Sequence, residues 1–401
     1  MTDTQSPRLT EKLLAYCNPS HAQACTFLGV GPMSRTSVDA TLEISAETSV
    51  PLMLIASRRQ IDSEEFGGGY VENWTTQEFS DYVFSHSDYP AANVILARDH
   101  GGPWQNNSEY GLDLNAAMAS AKRSYECDID AGFEILHLDP SIDPVSTLST
   151  SATLDRMFEL YDHCLSYASK KNKKVYFEIG TEEQSGSTNT KEELEETLVQ
   201  VQAFAASHGC EMPLFVVCQT GTRVMELRNV GMFESAVRVA GSVASEIQIP
   251  LLVDVCSQFG VMLKQHNTDY LSNMSLRWMP RLGIHAANVA PEFGVAETVA
   301  IFEIFEYFGK FEEAEIFEQL AVSSNKWEKW VIDKDSVSER EKALICGHYV
   351  FGNSEFIELR SRVNRELAIK GYNLEAEIKR RVRQAIMRYI TNFGLLRSHY
   401  G

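Results

Sequence analysis

The segment Val94-Ile-Leu-Ala-Arg-Asp99-His100-Gly-Gly-Pro-Trp-Gln105 changes from apolar to ionisable within a few residues and sets a carboxylate beside an imidazole. A second imidazole stands just ahead of another carboxylate in His266-Asn-Thr-Asp269. Neutral imidazoles plus a carboxylate, with one position left open, are what a mononuclear divalent-metal site requires, and such a site supports metal-assisted carbonyl chemistry.

Each of these groups follows a short apolar run, and the runs recur: residues 25–30, 51–56, 93–98, 133–138, 175–180, 214–219, 261–265 and 284–290. Between them lie amphipathic stretches with helical spacing, such as 153–171 and 191–209. Continuous apolar strands alternating with helices indicate a parallel sheet covered by helices, and eight repeats close most economically as a (β/α)8 barrel; a doubly wound open sheet is the alternative. In such barrels chemistry sits at the C-terminal mouths of the strands. There the chain carries Arg58-Arg59-Gln60, Asp99-His100, Asp139, Glu178 leading into Glu182, Gln219, His266 to Asp269, and Asn288. His137, inside the fourth run, and His285, at the start of the eighth, read as structural histidines.

Beyond residue 310 only helical patterns remain, so residues 1–310 are expected to form the barrel and 311–401 a helical extension packed on it. Residues 358–401 are locally basic in an acidic chain, which reads either as a solvated helix face or as a patch facing phosphate or another subunit. The net charge of −19 argues against nucleic acid and anionic lipid as partners. No run approaches the ~20 apolar residues of a membrane span, and the eight cysteines lack CxxC spacing, so a cytoplasmic protein with reduced thiols is expected.

Six motifs together resemble the class II tagatose-bisphosphate aldolase "non-catalytic subunit" family: Phe66-Gly-Gly-Gly-Tyr70, Asp99-His-Gly-Gly-Pro-Trp-Gln105, Leu136-His-Leu-Asp139, Ile179-Gly-Thr-Glu182, Gln265-His-Asn-Thr-Asp-Tyr270 and Asn288-Val-Ala-Pro291. The resemblance covers about residues 50–300 and implies a class II aldolase-like barrel acting on a sugar or sugar phosphate. It implies one of two roles: accessory chain to a separate catalytic aldolase subunit, or stand-alone ketose-phosphate 4-epimerase. Gln219-Thr-Gly-Thr and Arg58-Arg59-Gln60 depart from the family pattern, and both arginines would suit a carboxylate or phosphate.

On this reading His100, His266 and Glu182 hold one divalent ion, zinc, manganese or iron. Asp99 is the proton-transfer residue for breaking and remaking C3–C4 of a ketose, with inversion at C4 if the aldehyde is retained and aldol cleavage if it escapes. Asp139 and Asp269 would orient histidines or substrate hydroxyls, and Gln219 and Asn288 would bind hydroxyls. A homo-oligomer is expected.

Overall fold

A computed structural model describes residues 24–145, 148–180, 188–235 and 243–396. Eight parallel strands close into a barrel: β1 (Phe27–Val30), β2 (Leu52–Ser57), β3 (Val94–Gly101), β4 (Ile135–Leu138), β5 (Tyr176–Ile179), β6 (Phe215–Val217), β7 (Met262–Gln265) and β8 (Ala286–Val289). Each pairs with its neighbours in sequence, and β8 pairs with β1 in register from Phe27↔Ala286 to Val30↔Val289. All eight apolar runs of the sequence are therefore barrel strands, and the open-sheet alternative is excluded.

Helices α1 (Arg35–Thr48), α2 (Thr76–Ser85), α3 (Leu114–Ala131), α4 (Thr150–Lys170), α5 (Lys191–His208), α6 (Ser245–Phe259), α7 (Asn273–Leu282) and α8 (Pro291–Tyr307) follow the strands in order and cover the barrel. Their starts are written in the sequence. The Ser34, Thr75 and Thr190 side chains each accept the amide of the residue three positions on, whose own side chain accepts in return, so the first-turn amides are satisfied.

The chain ends in α9 (Phe311–Ser323), α10 (Glu339–Cys346), α11 (Ser354–Ile369) and α12 (Leu374–Asn392). A second apolar core, including Ile301, Phe305, Phe317, Phe356 and Val363, binds α9–α11 to the far half of α8. Helix α12 spans both cores: Leu374 and Ile378 join the second, while Val382, Ile386, Tyr389 and Ile390 join the main core, against α1 and α8. These two helices flank the seam where β1 meets β8. Arg383 pairs with Glu43 at 2.9 Å and Glu47 at 2.5 Å on α1, Arg388 pairs with Glu292 at 2.8 Å on α8, and Thr26 N–H donates to the Phe393 carbonyl at 3.1 Å. These basic residues of the C-terminal region thus face acidic barrel helices rather than solvent or a phosphate. Among the described residues no helix is long and apolar enough to cross a membrane.

Candidate metal centre

The strand bearing Asp99 and His100 does not end before them. β3 runs to Gly101, but its register with β4 slips: Arg98 faces Leu136 and Gly101 faces Leu138, leaving one extra residue on β3. His100 takes up the slack with φ 44°, a left-handed conformation uncommon outside glycine. Successive residues of a regular strand point to opposite faces. The bulge lets two adjacent residues serve one site, while Arg98, just before it, turns outward into a buried ion pair with Asp128 at 2.5 Å. Gly102 follows with φ 134°, and a Cβ there would lie 2.3 Å from the Asp139 carbonyl oxygen. Only glycine lets the end of β3 pass so close to the end of β4.

Three imidazoles meet at this mouth. The ring centroids of His100, His137 and His266 form a near-regular triangle with sides of 5.0, 5.2 and 5.4 Å. Together with Asp99 they offer four ligand atoms within 4.8 Å of one another. Nε2 of His137 is buried and has no hydrogen-bond partner, as is Oδ1 of Asn288. A buried polar atom without a partner is costly, and the donor set is that of a divalent ion of borderline softness; the residues present fit such a group. His137, expected to be structural, is thus part of the cluster. His285 is not: its Nδ1 accepts the Leu263 amide at 3.1 Å.

Carboxylates beside the imidazoles fix them, Asp139 from behind His100 and Glu178 from within the cluster. Asp139 Oδ2 sits 2.6 Å from His100 Nδ1, and itself accepts from Gln105 at 2.8 Å, while its Oδ1 accepts from Ser141 at 2.6 Å. This leaves His100 Nε2 turned toward Asp99 Oδ1, 4.0 Å away. Glu178 Oε1 lies 2.9 Å from His266 Nε2, and its other oxygen accepts from Lys264 at 2.5 Å. Both Glu178 and Lys264 are fully buried inside strands. The sequence places Glu178 at a strand mouth without a role of its own and does not place Lys264 there, although a Glu and a Lys within buried strand runs can be accommodated only as a pair.

The electrostatics follow from these contacts. Burial opposes ionisation of Asp99, but His100, His266 and His137 outweigh it and hold the carboxyl well below the usual carboxylate range. Burial likewise opposes charge on His100, yet Asp99 and the bond to Asp139 lift it to about 9. Asp139 is held at about 2 by His100 against its burial, and Glu178 at about 2 by Lys264 against its own. For His266 burial wins, and its imidazole stays below the ordinary value.

The cluster opens into a cavity of about 830 Å³. Asn288 reaches it from β8, donating to Asp99 Oδ1 at 3.0 Å with the same nitrogen 3.1 Å from His266 Nε2. Arg59 and Gln60 line the cavity; Gln60 is engaged by the Ser57 amide at 2.8 Å, and Arg59 donates to Tyr110 Oη at 2.9 Å.

Arg58 is held differently from the expectation of an anion ligand. It is buried, with its guanidinium committed to Asp62 at 2.9 Å, Glu109 at 2.7 Å and the Gly102 carbonyl at 2.8 Å, so it ties the loop after β2 to the loop after β3. Asp269 Oδ1 accepts the amides of Ala290 at 3.0 Å and Glu292 at 2.9 Å and so caps α8; burial and Glu292 push its carboxyl up to about 7. Gln219 is buried outside the cavity lining, its backbone N–H donating to Asn189 Oδ1 at 2.7 Å. Glu182 lies outside the described residues.

A closed (β/α)8 barrel with its ionisable residues gathered at the C-terminal mouth places the molecule among the (β/α)8-barrel proteins whose chemistry sits at that mouth. More particularly, the chain belongs to the family described as D-tagatose-1,6-bisphosphate aldolase subunit GatZ/KbaZ-like, whose model matches residues 18–331. No curated protein matches it. Among solved structures it is similar to a probable tagatose 6 phosphate kinase from Sinorhizobium meliloti 1021, at TM-score 0.69 and 17% identity over 92% of this chain and 100% of that one. It is also similar to the YdjI aldolase from Escherichia coli K12, at TM-score 0.51 and 13% identity over 96% of each chain. A fructose-bisphosphate aldolase from Campylobacter jejuni gives TM-score 0.51 and 11% identity over 94% of this chain and 93% of that one. At these identities the likeness concerns the fold.

Proposed function

We propose that this chain is a metal-dependent enzyme that breaks and remakes the C3–C4 bond of a ketose or ketose phosphate, with inversion at C4. The observation that carries this reading is the triangle of His100, His137 and His266 around a buried, ionised Asp99. These three imidazoles would hold zinc, manganese or iron, and a bound ion supplies Lewis-acid polarisation of the ketose carbonyl and of its neighbouring hydroxyl. Asp99 accepts the proton of the C4 hydroxyl as the C3–C4 electron pair moves toward the carbonyl, and C4 becomes an aldehyde. Rotation of the aldehyde, followed by re-addition and return of the proton from Asp99, inverts C4. Asn288 steadies Asp99 through its 3.0 Å bond, Asp139 fixes the His100 ring, and Glu178 fixes His266.

The test is turnover of a panel of ketoses and ketose phosphates followed by NMR, with protein that has been chelated and then reloaded with zinc, manganese or iron. We expect C4 epimers formed only by loaded protein, with Asp99→Asn keeping metal and losing turnover and His266→Ala losing both. Full activity after exhaustive chelation overturns the reading. A second reading, an accessory subunit beside a catalytic aldolase chain, is favoured by the family's description as an aldolase subunit. It predicts no conversion by the chain alone and stabilisation of an added aldolase.

A further inference from the structure

Helices α6 (Ser245–Phe259) and α7 (Asn273–Leu282) lie side by side on the outside of the barrel, and each carries an apolar stripe on the side turned away from it. On α6 Ile249, Leu252, Val255 and Cys256 are buried against the barrel, yet Ile247 is 59% and Leu251 40% exposed. On α7 Leu276, Met279 and Pro280 are buried, while Met274 is 62% and Trp278 46% exposed. Each exposed pair is spaced i, i+4 and so shares one helix face. Three residues further along each stripe stand Asp254 on α6 and Arg281 on α7, both exposed. Single exposed apolar residues are ordinary, but four gathered on the outer faces of two neighbouring helices mark a surface that something covers.

The charges at one end of this face select the occupant. Consecutive helices of a (β/α)8 barrel run in the same direction, so Asp254 and Arg281 lie at the same end of the pair. A close approach holds that end together: a Cβ on Gly283 would lie 3.0 Å from Val253 Cγ1. Among the described residues neither Asp254 nor Arg281 has an ion-pair partner, and the Arg281 guanidinium rests over the Trp278 ring at 5.6 Å. A two-fold axis in the contact plane and parallel to the helices turns the face onto itself, with α6 of one copy over α7 of the other. Ile247 and Leu251 then meet Met274 and Trp278 of the second copy, and Asp254 meets its Arg281, each contact occurring twice. An axis at right angles to the helices would instead set α6 on α6 and carry the two opposite charges apart. Trp, Met and Arg are also the side chains enriched in contacts between proteins.

We propose that this face is the contact between two copies of the chain, α6 of each seated on α7 of the other. The face is two helices wide and about 22 Å long, among the smaller specific interfaces, so the dimer is reversible. The test is sedimentation equilibrium of the full-length chain over a micromolar concentration range. Wild type should dimerise, and Trp278→Glu should weaken the dimer about 100-fold or more, because the residue is used twice. Its urea unfolding curve, taken at a dilution where wild type is monomeric, should be unchanged. Asp254→Arg and Arg281→Asp should each weaken self-association about 10-fold by setting like charges together. Mixing these two variants should restore wild-type strength, since a mixed pair has opposite charges at both contacts. A wild-type chain that stays monomeric overturns the proposal, including one that engages this face only when a catalytic aldolase chain is added. A dimer indifferent to Trp278→Glu overturns it as well, and failure of the mixed variants to recover overturns the pairing of α6 with α7. None of these readouts depends on turnover.

Discussion

Lys264→Met isolates the buried pair behind His266. Lys264 and Glu178 are both removed from water, and Lys264 is the chief partner that keeps the Glu178 carboxyl ionised. Breaking a buried pair from one side leaves an uncompensated charge, which costs about 3–5 kcal/mol, more than the lost contact alone would suggest. Glu178→Gln in the same background removes the orphaned charge while its amide oxygen still accepts from His266. The double variant should therefore recover about 2 kcal/mol or more of the loss. Urea unfolding of the chelated proteins, compared at unchanged slope, reads both numbers. A Lys264→Met protein within about 1 kcal/mol of wild type, or a double variant no more stable than the single, would refute the argument that the lysine is retained to keep a buried carboxylate charged.

Asp139→Asn should weaken zinc affinity about 10- to 100-fold in chelator competition, because the His100 ring loses its charged anchor; unchanged affinity would remove Asp139 from the site. Gly102→Ala should destabilise the protein by more than about 2 kcal/mol, since its Cβ meets the Asp139 carbonyl at 2.3 Å, whereas Gly111→Ala, with open space around it, should be neutral on the same denaturation curves. Asp269 titrates near 7 in the fold against an ordinary value of 3.8, so the folded state holds a proton that the unfolded state has lost between those values, and stability falls as pH rises through that window. Asp269→Asn cannot titrate, and its stability relative to wild type should improve by up to about 4 kcal/mol from pH 4 to pH 7; a difference independent of pH would sink that assignment.

The barrel was legible because each strand is an apolar run of ordinary length and amphipathic stretches with helical spacing lie between them. The placing of Asp99 and His100 at a strand mouth followed from the same pattern, but the way they share one site did not. That depends on a one-residue slip between β3 and β4, and a slip is a property of two strands together. His137 lies well inside an apolar run, so its inclusion turns on which face of β4 looks into the barrel at that height. Arg58 illustrates the opposite difficulty. A charged residue after a strand looks available to a ligand, and only Asp62 and Glu109, the latter some fifty positions away, reveal that the fold has already engaged it. The signal within reach was Lys264, a lone cation inside a buried strand, which could be buried only if another strand supplied its partner.

The strap that α12 lays across the β1–β8 seam has a bearing on how the molecule is made. During synthesis β1 emerges well before β8, and the helix that clamps both emerges after either strand. The barrel can assemble most of its staves in order as they appear. Its closing joint, however, cannot be clamped by α12 until residues 374–392 have emerged, so a nascent chain stalled before residue 374 holds the β1–β8 joint by strand pairing alone.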